Sequence, residues 1–413
     1  MQQGSTQGRE ARGSAPSRDA APRRVLFRES SVGGGVVGGS LTGILELIAH
    51  LDRGRWEPAL VLAEPKPALQ LADVPVHVLT PRRGSGGVDR GALPVRVLRR
   101  ASEVFGIVLP RVRELLPLLR RHRPAMLYLG SGLTSNLAGA IAAGRCGVPV
   151  ICHFKGFRRV GPLDRFCSRW IDTAITMTDE IGAHYRARGI RARRFVTIYD
   201  GIDGARFATG GGDGVRRALG IPPEAPCVGI VGHVQGWKGQ LLVAEAVARA
   251  RRSLPALRCL IVGGVHRLGA EYAEGLKERV AAPDLAGHVL LTGARRDVAA
   301  CMDAVDVVIH ASNREPFGRV LLEAMAVGRP VIAPREGGPL EIVVDGETGI
   351  LVPPRDPDAL AAAMVSLLGD PARRAAMSRA ARARVAAVFD IGQHARAVEA
   401  VFDDVLSRSR VPA

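Results

Sequence analysis

Short runs rich in Val, Ile and Leu alternate with stretches of helical spacing from Arg23 onward, and this alternation limits the fold more than any other feature. Apolar runs of this length, each followed by an amphipathic stretch, are the sequence form of a parallel, doubly wound sheet. A first series comprises Val25–Phe27, Ala59–Leu62, Val76–Leu79, Met126–Leu129, Val148–Cys152, Ala174–Met177 and Phe195–Ile198. A second follows Asp200-Gly201-Ile202-Asp203 and the glycine-rich 209–214 stretch: Val228–Val231, Arg258–Val262, Val289–Leu291, Val307–His310, Pro330–Ala333 and Gly349–Val352. The expected fold is α/β with two doubly wound domains, and 413 residues suit two cores of roughly 200 residues each. Residues 1–22 read as a disordered tail, 23–204 as an N-terminal domain, 205–390 as a C-terminal domain and 391–413 as a last helix and tail. Two domains imply a cleft. The final stretches 357–368, 371–389 and 391–408 carry apolar residues at helical spacing, and the last of them is expected to cross back and brace the first domain.

The formal net charge of +17 raises the question of a nucleic-acid partner. The basic side chains are 53 arginines against four lysines, in a chain rich in Ala, Gly and Val, a skew that reflects coding bias rather than phosphate binding. An aromatic fraction of 4% leaves few platforms for stacking bases, so no nucleic acid is expected. Cys146, Cys152, Cys167, Cys227, Cys259 and Cys301 are scattered without a CxxC pair and read as reduced core residues. The first 22 residues are polar and no run reaches the 18 or so apolar residues of a membrane span, so a cytoplasmic location is expected. The 95–123 stretch, rich in Arg and Leu, reads first as a solvated basic helix packed on the sheet. Its second reading is a peripheral contact with an anionic bilayer at the inner face of the plasma membrane.

Three segments carry chemistry. In the first, the strand ending at His310 leads through Ala311-Ser-Asn-Arg into Glu315-Pro-Phe-Gly318-Arg319-Val320, and a helix is expected to begin near Gly318. Free N–H groups at Gly318, Arg319 and Val320 would face the carboxyl end of the sheet, where α/β proteins bind ligands, and a diphosphate fits there. Glu315 can accept hydrogen bonds from sugar hydroxyls, and Glu323, on the helix, from ribose hydroxyls; a structural N-terminal acid and a solvated Glu are the plainer alternative for this spacing alone. In the second, Gly232-His233-Val-Gln-Gly-Trp237-Lys238-Gly239-Gln240 is a glycine-rich strand-to-helix turn carrying one of the four lysines, a cation suited to phosphate. In the third, Gly33-Gly-Gly-Val-Val-Gly38-Gly39-Ser40 opens a helix over Leu41–Leu51, with glycines that let backbone amides approach an anion. Asp356-Pro-Asp358 spells DxD but precedes a helix and reads as its cap, so no metal is assigned.

These segments together resemble the retaining GT-B glycosyltransferases of family 4. The likeness rests on Glu315 and Glu323 with seven residues between them, on Gly232…Lys238-Gly239-Gln240, and on Gly38-Gly39. It rests also on Thr292-Gly293…Asp297-Val298, Gly337-Gly338-Pro339…Gly349 and Tyr199-Asp200-Gly201-Ile202-Asp203. The resemblance implies two Rossmann-like domains facing across a cleft, with a nucleotide-diphosphate sugar, UDP- or GDP-linked, as co-substrate and no cofactor. The C-terminal domain would hold this donor and the N-terminal domain a hydroxyl acceptor, which would be a glycan, a lipid-linked molecule or a small metabolite. Glu315 would orient the donor sugar and Glu323 the ribose. Lys238, His233, Gly39 and the amides of Phe317-Gly318-Arg319-Val320 would surround the diphosphate, and Arg295, in the 293–295 turn, would lie beside the base. His153, after its strand, falls where such enzymes place a histidine near the transferred sugar. His233 stands where many members have Arg, and Asp200 where Asn is usual, with little effect expected because both suit a turn. Two other functions fit the pattern: an epimerase of the same fold acting on a sugar nucleotide, and a non-catalytic subunit that binds one.

Overall fold

The computed structural model describes residues 21–30, 39–66, 69, 73–81, 104–207 and 210–409. The tail 1–20, the Gly33–Gly38 loop and the first part of the 95–123 stretch lie outside the described residues.

Each expected apolar run forms a strand. The first sheet contains β1 (Arg23–Glu29), β2 (Trp56–Leu62), β3 (Val76–Val78), β4 (Met126–Leu129), β5 (Val150–Phe154), β6 (Thr173–Thr176) and β7 (Arg194–Thr197). All pairings are parallel, in the order β3-β2-β1-β4-β5-β6-β7. The second sheet contains β8 (Cys227–Val231), β9 (Arg258–Val262), β10 (Val289–Gly293), β11 (Val307–Ile309), β12 (Val331–Pro334) and β13 (Gly349–Val352), again parallel, in the order β10-β9-β8-β11-β12-β13. The runs are continuous rather than alternating because the inner strands are covered on both faces; β4, β5, β11 and β12 are buried at every position. The sheet order reverses between β1 and β4 in the first domain and between β8 and β11 in the second. At such a switch point the loops leaving the two strands diverge and open a crevice at the carboxyl ends.

The last helix, Ile391–Ser409, crosses back to the first domain as expected. Its Ala395, Val398, Val401, Phe402 and Val405 are buried with Val25, Phe27, Leu47 and Trp56. The Phe402 ring meets Trp56 edge-on at 5.1 Å. Asp356 caps the Pro357–Leu368 helix by accepting from Asp358 N at 3.0 Å and Ala359 N at 2.9 Å, in agreement with the capping role read from the sequence.

Candidate active site

The switch point of the second sheet brings together two segments about 80 residues apart in the chain. The β8 loop turns through Gly232 and a short 3-10 turn at Gly236–Lys238 before the Gln240–Ala250 helix begins. Gly239 has φ 77, and a Cβ there would stand 2.3 Å from the Ala311 carbonyl, so only glycine lets the β8 loop lie against the β11 loop. Across that contact Lys238 Nζ donates to Glu315 Oε2 at 2.8 Å, and His310 Nε2 lies 3.4 Å from the same oxygen. Burial pushes the Glu315 carboxyl up, but His310 and Lys238 outweigh it and hold the group at about 2. Glu315 is therefore a mostly buried anion with the Lys238 ammonium paired beside it.

Gly318 caps the following helix, Arg319–Val327, with φ 108, and the first N–H groups of that helix have no intrahelical acceptor. The loop before it is shaped from below by the glycine pair. Gly338 N donates to the Glu315 carbonyl at 2.8 Å, a Cβ on Gly337 would sit 2.5 Å from that oxygen, and one on Gly338 would sit 2.3 Å from Phe317 Cα. Glu323, one turn into the helix, is partly buried; burial raises its carboxyl, Arg319 opposes this and Glu46 adds to it. Lys238 and Glu315 thus meet beside the loop that leads into this helix, whose first turns carry Arg319, Val320 and Glu323.

Other expected residues fall differently. The Phe317 side chain is 2% exposed, packed against Tyr199 and Phe389, so its ring is a core residue that anchors the loop, and only its backbone is left to face a donor. The Arg319 side chain turns away from the helix start to donate to Glu46 Oε2 at 2.7 Å and the Gly201 carbonyl at 3.2 Å, both in the first domain. His233 is exposed on the β8 loop, its ring 6.0 Å from that of His266. Arg295, beyond the edge strand β10, donates to Asp297 at 2.8 Å. Gly39 begins the Gly39–His50 helix.

His153 lies at the end of β5, as expected, but is enclosed by other segments. It ends in a buried cluster, 0% exposed, with Tyr128 Oη 2.6 Å from Nδ1 and Asp200 Oδ1 3.9 Å from Nε2. Burial, reinforced by Lys155, lowers its pKa well below the usual histidine value against the pull of Asp200, so the ring is neutral. The ring has no exposed surface and is held among Tyr128, Asp200 and His394.

Several residues escaped the sequence reading. Asp200, taken there as a turn residue, is buried with Lys155 Nζ 3.4 Å from both carboxylate oxygens. Burial raises its carboxyl, but Lys155, His153, His394 and Arg319 hold it well below the usual range. His310 was visible only as a strand end. At the first sheet's switch point, buried Arg28 donates to Asn136 Oδ1, and Ser131 Oγ donates to Glu29 Oε1 at 3.0 Å. Burial, helped by Arg111 and opposed by Glu29, lowers the Arg28 pKa to about 10.

The described part of the basic stretch packs as a helix, Leu109–His122, with Arg111, Val112, Leu115 and Leu119 buried and Arg113, Arg120 and Arg121 outward. Arg111 Nη2 donates to the Ala63 carbonyl at 3.0 Å, which fixes one of the basic groups inside the domain. Among the described residues no helix is long and apolar enough to cross a membrane.

Comparison with known proteins follows the same division. Residues 38–201 match the glycosyl transferase 4-like domain and residues 213–384 match glycosyl transferases group 1. HepE from Anabaena, solved with UDP and glucose, has a similar fold at a TM-score of 0.75 and 23% identity, covering 92% of this chain and 99% of that one. Sucrose-phosphate synthase from Thermosynechococcus elongatus superposes with a TM-score of 0.76 at 21% identity, over 94% of this chain and all of that one. A D-inositol 3-phosphate glycosyltransferase from Kineococcus radiotolerans is 38% identical over 210 residues, 47% of this chain and 48% of the relative. The match spans about half the length of that relative and of the similar ones from Corynebacterium urealyticum and Geodermatophilus obscurus. The lipopolysaccharide core biosynthesis mannosyltransferase LpsB of Rhizobium meliloti is 30% identical over 329 residues, 75% of this chain and 91% of the relative. A likeness of that breadth, with one family match in each of the two domains of a GT-B fold, shows that the chain belongs to the group 1 glycosyltransferases.

Proposed function

We propose that the protein transfers a hexosyl unit from a nucleoside-diphosphate sugar, UDP- or GDP-linked, to a hydroxyl acceptor, with retention at the anomeric carbon and without a bound metal. The observation that carries the proposal is the meeting of Lys238 and Glu315 at 2.8 Å beside the start of the Arg319–Val327 helix. A diphosphate at that helix start gains the helix dipole, the free N–H groups of Gly318–Val320 and the Lys238 ammonium. In this reading His233 and the amide end of the Gly39–His50 helix add to the anion site, and the Arg295 turn serves the base. Glu315, ionised at neutral pH, accepts hydrogen bonds from sugar hydroxyls, and Glu323 from the ribose.

In the reaction the acceptor oxygen bonds to the anomeric carbon as the bond from that carbon to the phosphate oxygen breaks. The departing diphosphate keeps the bonding electrons and takes up the acceptor's proton. Negative charge grows on the leaving group in the transition state, so Lys238 and the helix start stabilise that state more than the bound donor. The rest of the acceleration is positioning: the first domain presents the acceptor hydroxyl across the cleft. The LpsB relative is named for a mannosyl transfer and the Kineococcus relative for an inositol phosphate acceptor, which supports a hexose donor and a polyhydroxylated acceptor.

The test is an initial-rate assay with a panel of UDP- and GDP-sugars and hydroxyl acceptors, with product stereochemistry read by NMR. The proposal expects acceptor-dependent release of the nucleoside diphosphate and an α-linked product from an α-linked donor. Formation of an epimeric sugar nucleotide without acceptor contradicts it.

A further inference from the structure

Both chain crossings between the domains meet at one point. Ile202 N donates to the Phe389 carbonyl at 2.9 Å, and Ile391 N donates back to the Ile202 carbonyl at 3.1 Å. A Cβ on Gly201 would stand 2.7 Å from Ile391 Cα, so the two crossings lie in direct backbone contact. Asp200 immediately precedes this crossing and is 3% exposed. Charged or titratable groups from three other elements face its carboxylate. Lys155 and His153 come from the end of β5 and the loop after it, at 3.4 and 3.9 Å. His394, from the last helix, donates through Nδ1 to the Tyr199 carbonyl, 2.7 Å away. Arg319 comes from the first turn of the helix that begins the proposed diphosphate site, with Nη1 3.8 Å from Asp200 Oδ2.

We propose that Asp200 is a positioning residue that, through Arg319, holds the start of the donor-site helix at a fixed distance from the acceptor domain. This rests on the proposed transfer reaction only for its catalytic consequence. The Asp200 carboxylate cannot swing away. Lys155 pins both its oxygens, and the absence of a side chain on Gly43, whose Cβ would lie 2.7 Å from Lys155 Nζ, leaves that ammonium its space. The Arg319 guanidinium reaches out of its helix to the first domain, donating to the Gly201 carbonyl and Glu46 and forming an ion pair with Asp200 at 3.8 Å. Its backbone belongs to the helix start that would bind the diphosphate, so a shift of the side chain moves the phosphate-binding amides. Arg319 is also the cation between Asp200, Glu46 and Glu323, and it neutralises acids that would otherwise repel an anionic donor. An asparagine at 200 keeps the turn and the volume but surrenders the charge that draws Arg319 inward.

The experiment compares wild type, Asp200→Asn, Arg319→Gln and the double variant. Donor kcat and KM are measured beside thermal melting and hydrogen exchange over 198–204 and 318–323. Each single variant is expected to lower kcat/KM about tenfold while remaining folded, and Asp200→Asn is expected to cost less than a further twofold in the Arg319→Gln background. Exchange in both segments rises in either single variant and no further in the double. Multiplicative losses, wild-type kinetics for Asp200→Asn, or unchanged exchange at 318–323 in Asp200→Asn overturn the proposal. If wild type transfers no sugar from any donor, the reaction reading fails, while the exchange data still decide whether Asp200 positions the helix through Arg319.

Discussion

Replacing Lys238 with methionine separates the contribution of the Lys238–Glu315 pair to folding from its contribution to binding. The pair is mostly withdrawn from solvent, with side chains 17% and 12% exposed, so loss of the cation leaves Glu315 charged in a poorly hydrated place. A carboxyl held at about 2 against an ordinary 4.5 represents about 3 kcal/mol of preference for the ionised form in the folded protein. His310 supplies the larger share of that stabilisation, which leaves about 1 kcal/mol to Lys238. For a domain of this size the loss lowers the melting temperature of the second domain by about 2–4 °C at pH 7. The folded value lies below the unfolded one, so the contribution is whole above about pH 4.5 and is lost as the pH falls towards 2. The gap between wild type and Lys238→Met therefore narrows on acidification. Adding Glu315→Gln to Lys238→Met removes the stranded charge and should restore most of the stability. Scanning calorimetry of the ligand-free proteins at pH 7 and pH 4 reads all of this. A variant that melts with wild type at pH 7, or a double variant no more stable than Lys238→Met, refutes the reasoning.

Glu315→Ala should lower turnover about a hundredfold or more with the fold intact by circular dichroism, because the side chain is held by Lys238 and His310 rather than by apolar packing. Gly337→Ala places a Cβ 2.5 Å from the Glu315 carbonyl at a φ of 67, so activity should fall with Glu315 itself untouched, as initial rates would show. Phe402→Ala empties a fully buried ring site between the last helix and Trp56, and chemical denaturation should report a loss of about 3–5 kcal/mol in the first domain.

The fold was legible because strands covered on both faces need apolar residues at nearly every position, and a run such as Val307–Ile309 announces itself without any partner. The site was legible where glycine and proline force local geometry. Gly239, Pro316 and Gly318 each mark a place where backbone conformation or close approach admits few other residues, and Lys238 and Glu315 could be set beside them. What escaped were side-chain directions and contacts between distant segments. Nothing local distinguishes a Phe317 ring that faces a ligand from one that packs on Tyr199 and Phe389. His153 sits at the strand end where it was expected, yet Tyr128, Asp200 and His394 close over it from three other segments. Asp200 reads locally as a turn former, and its role depends on Lys155, 45 residues earlier, and Arg319 in the other domain.

The central claim is that an anionic leaving group is held where the helix after Pro316 begins. A crystal structure with a bound nucleoside diphosphate tests it most directly. The account predicts the terminal phosphate within hydrogen-bonding distance of the Gly318–Val320 amides, with Lys238 Nζ turned from Glu315 towards it. A diphosphate bound elsewhere, with Lys238 still paired to Glu315 and the helix start untouched, would contradict it.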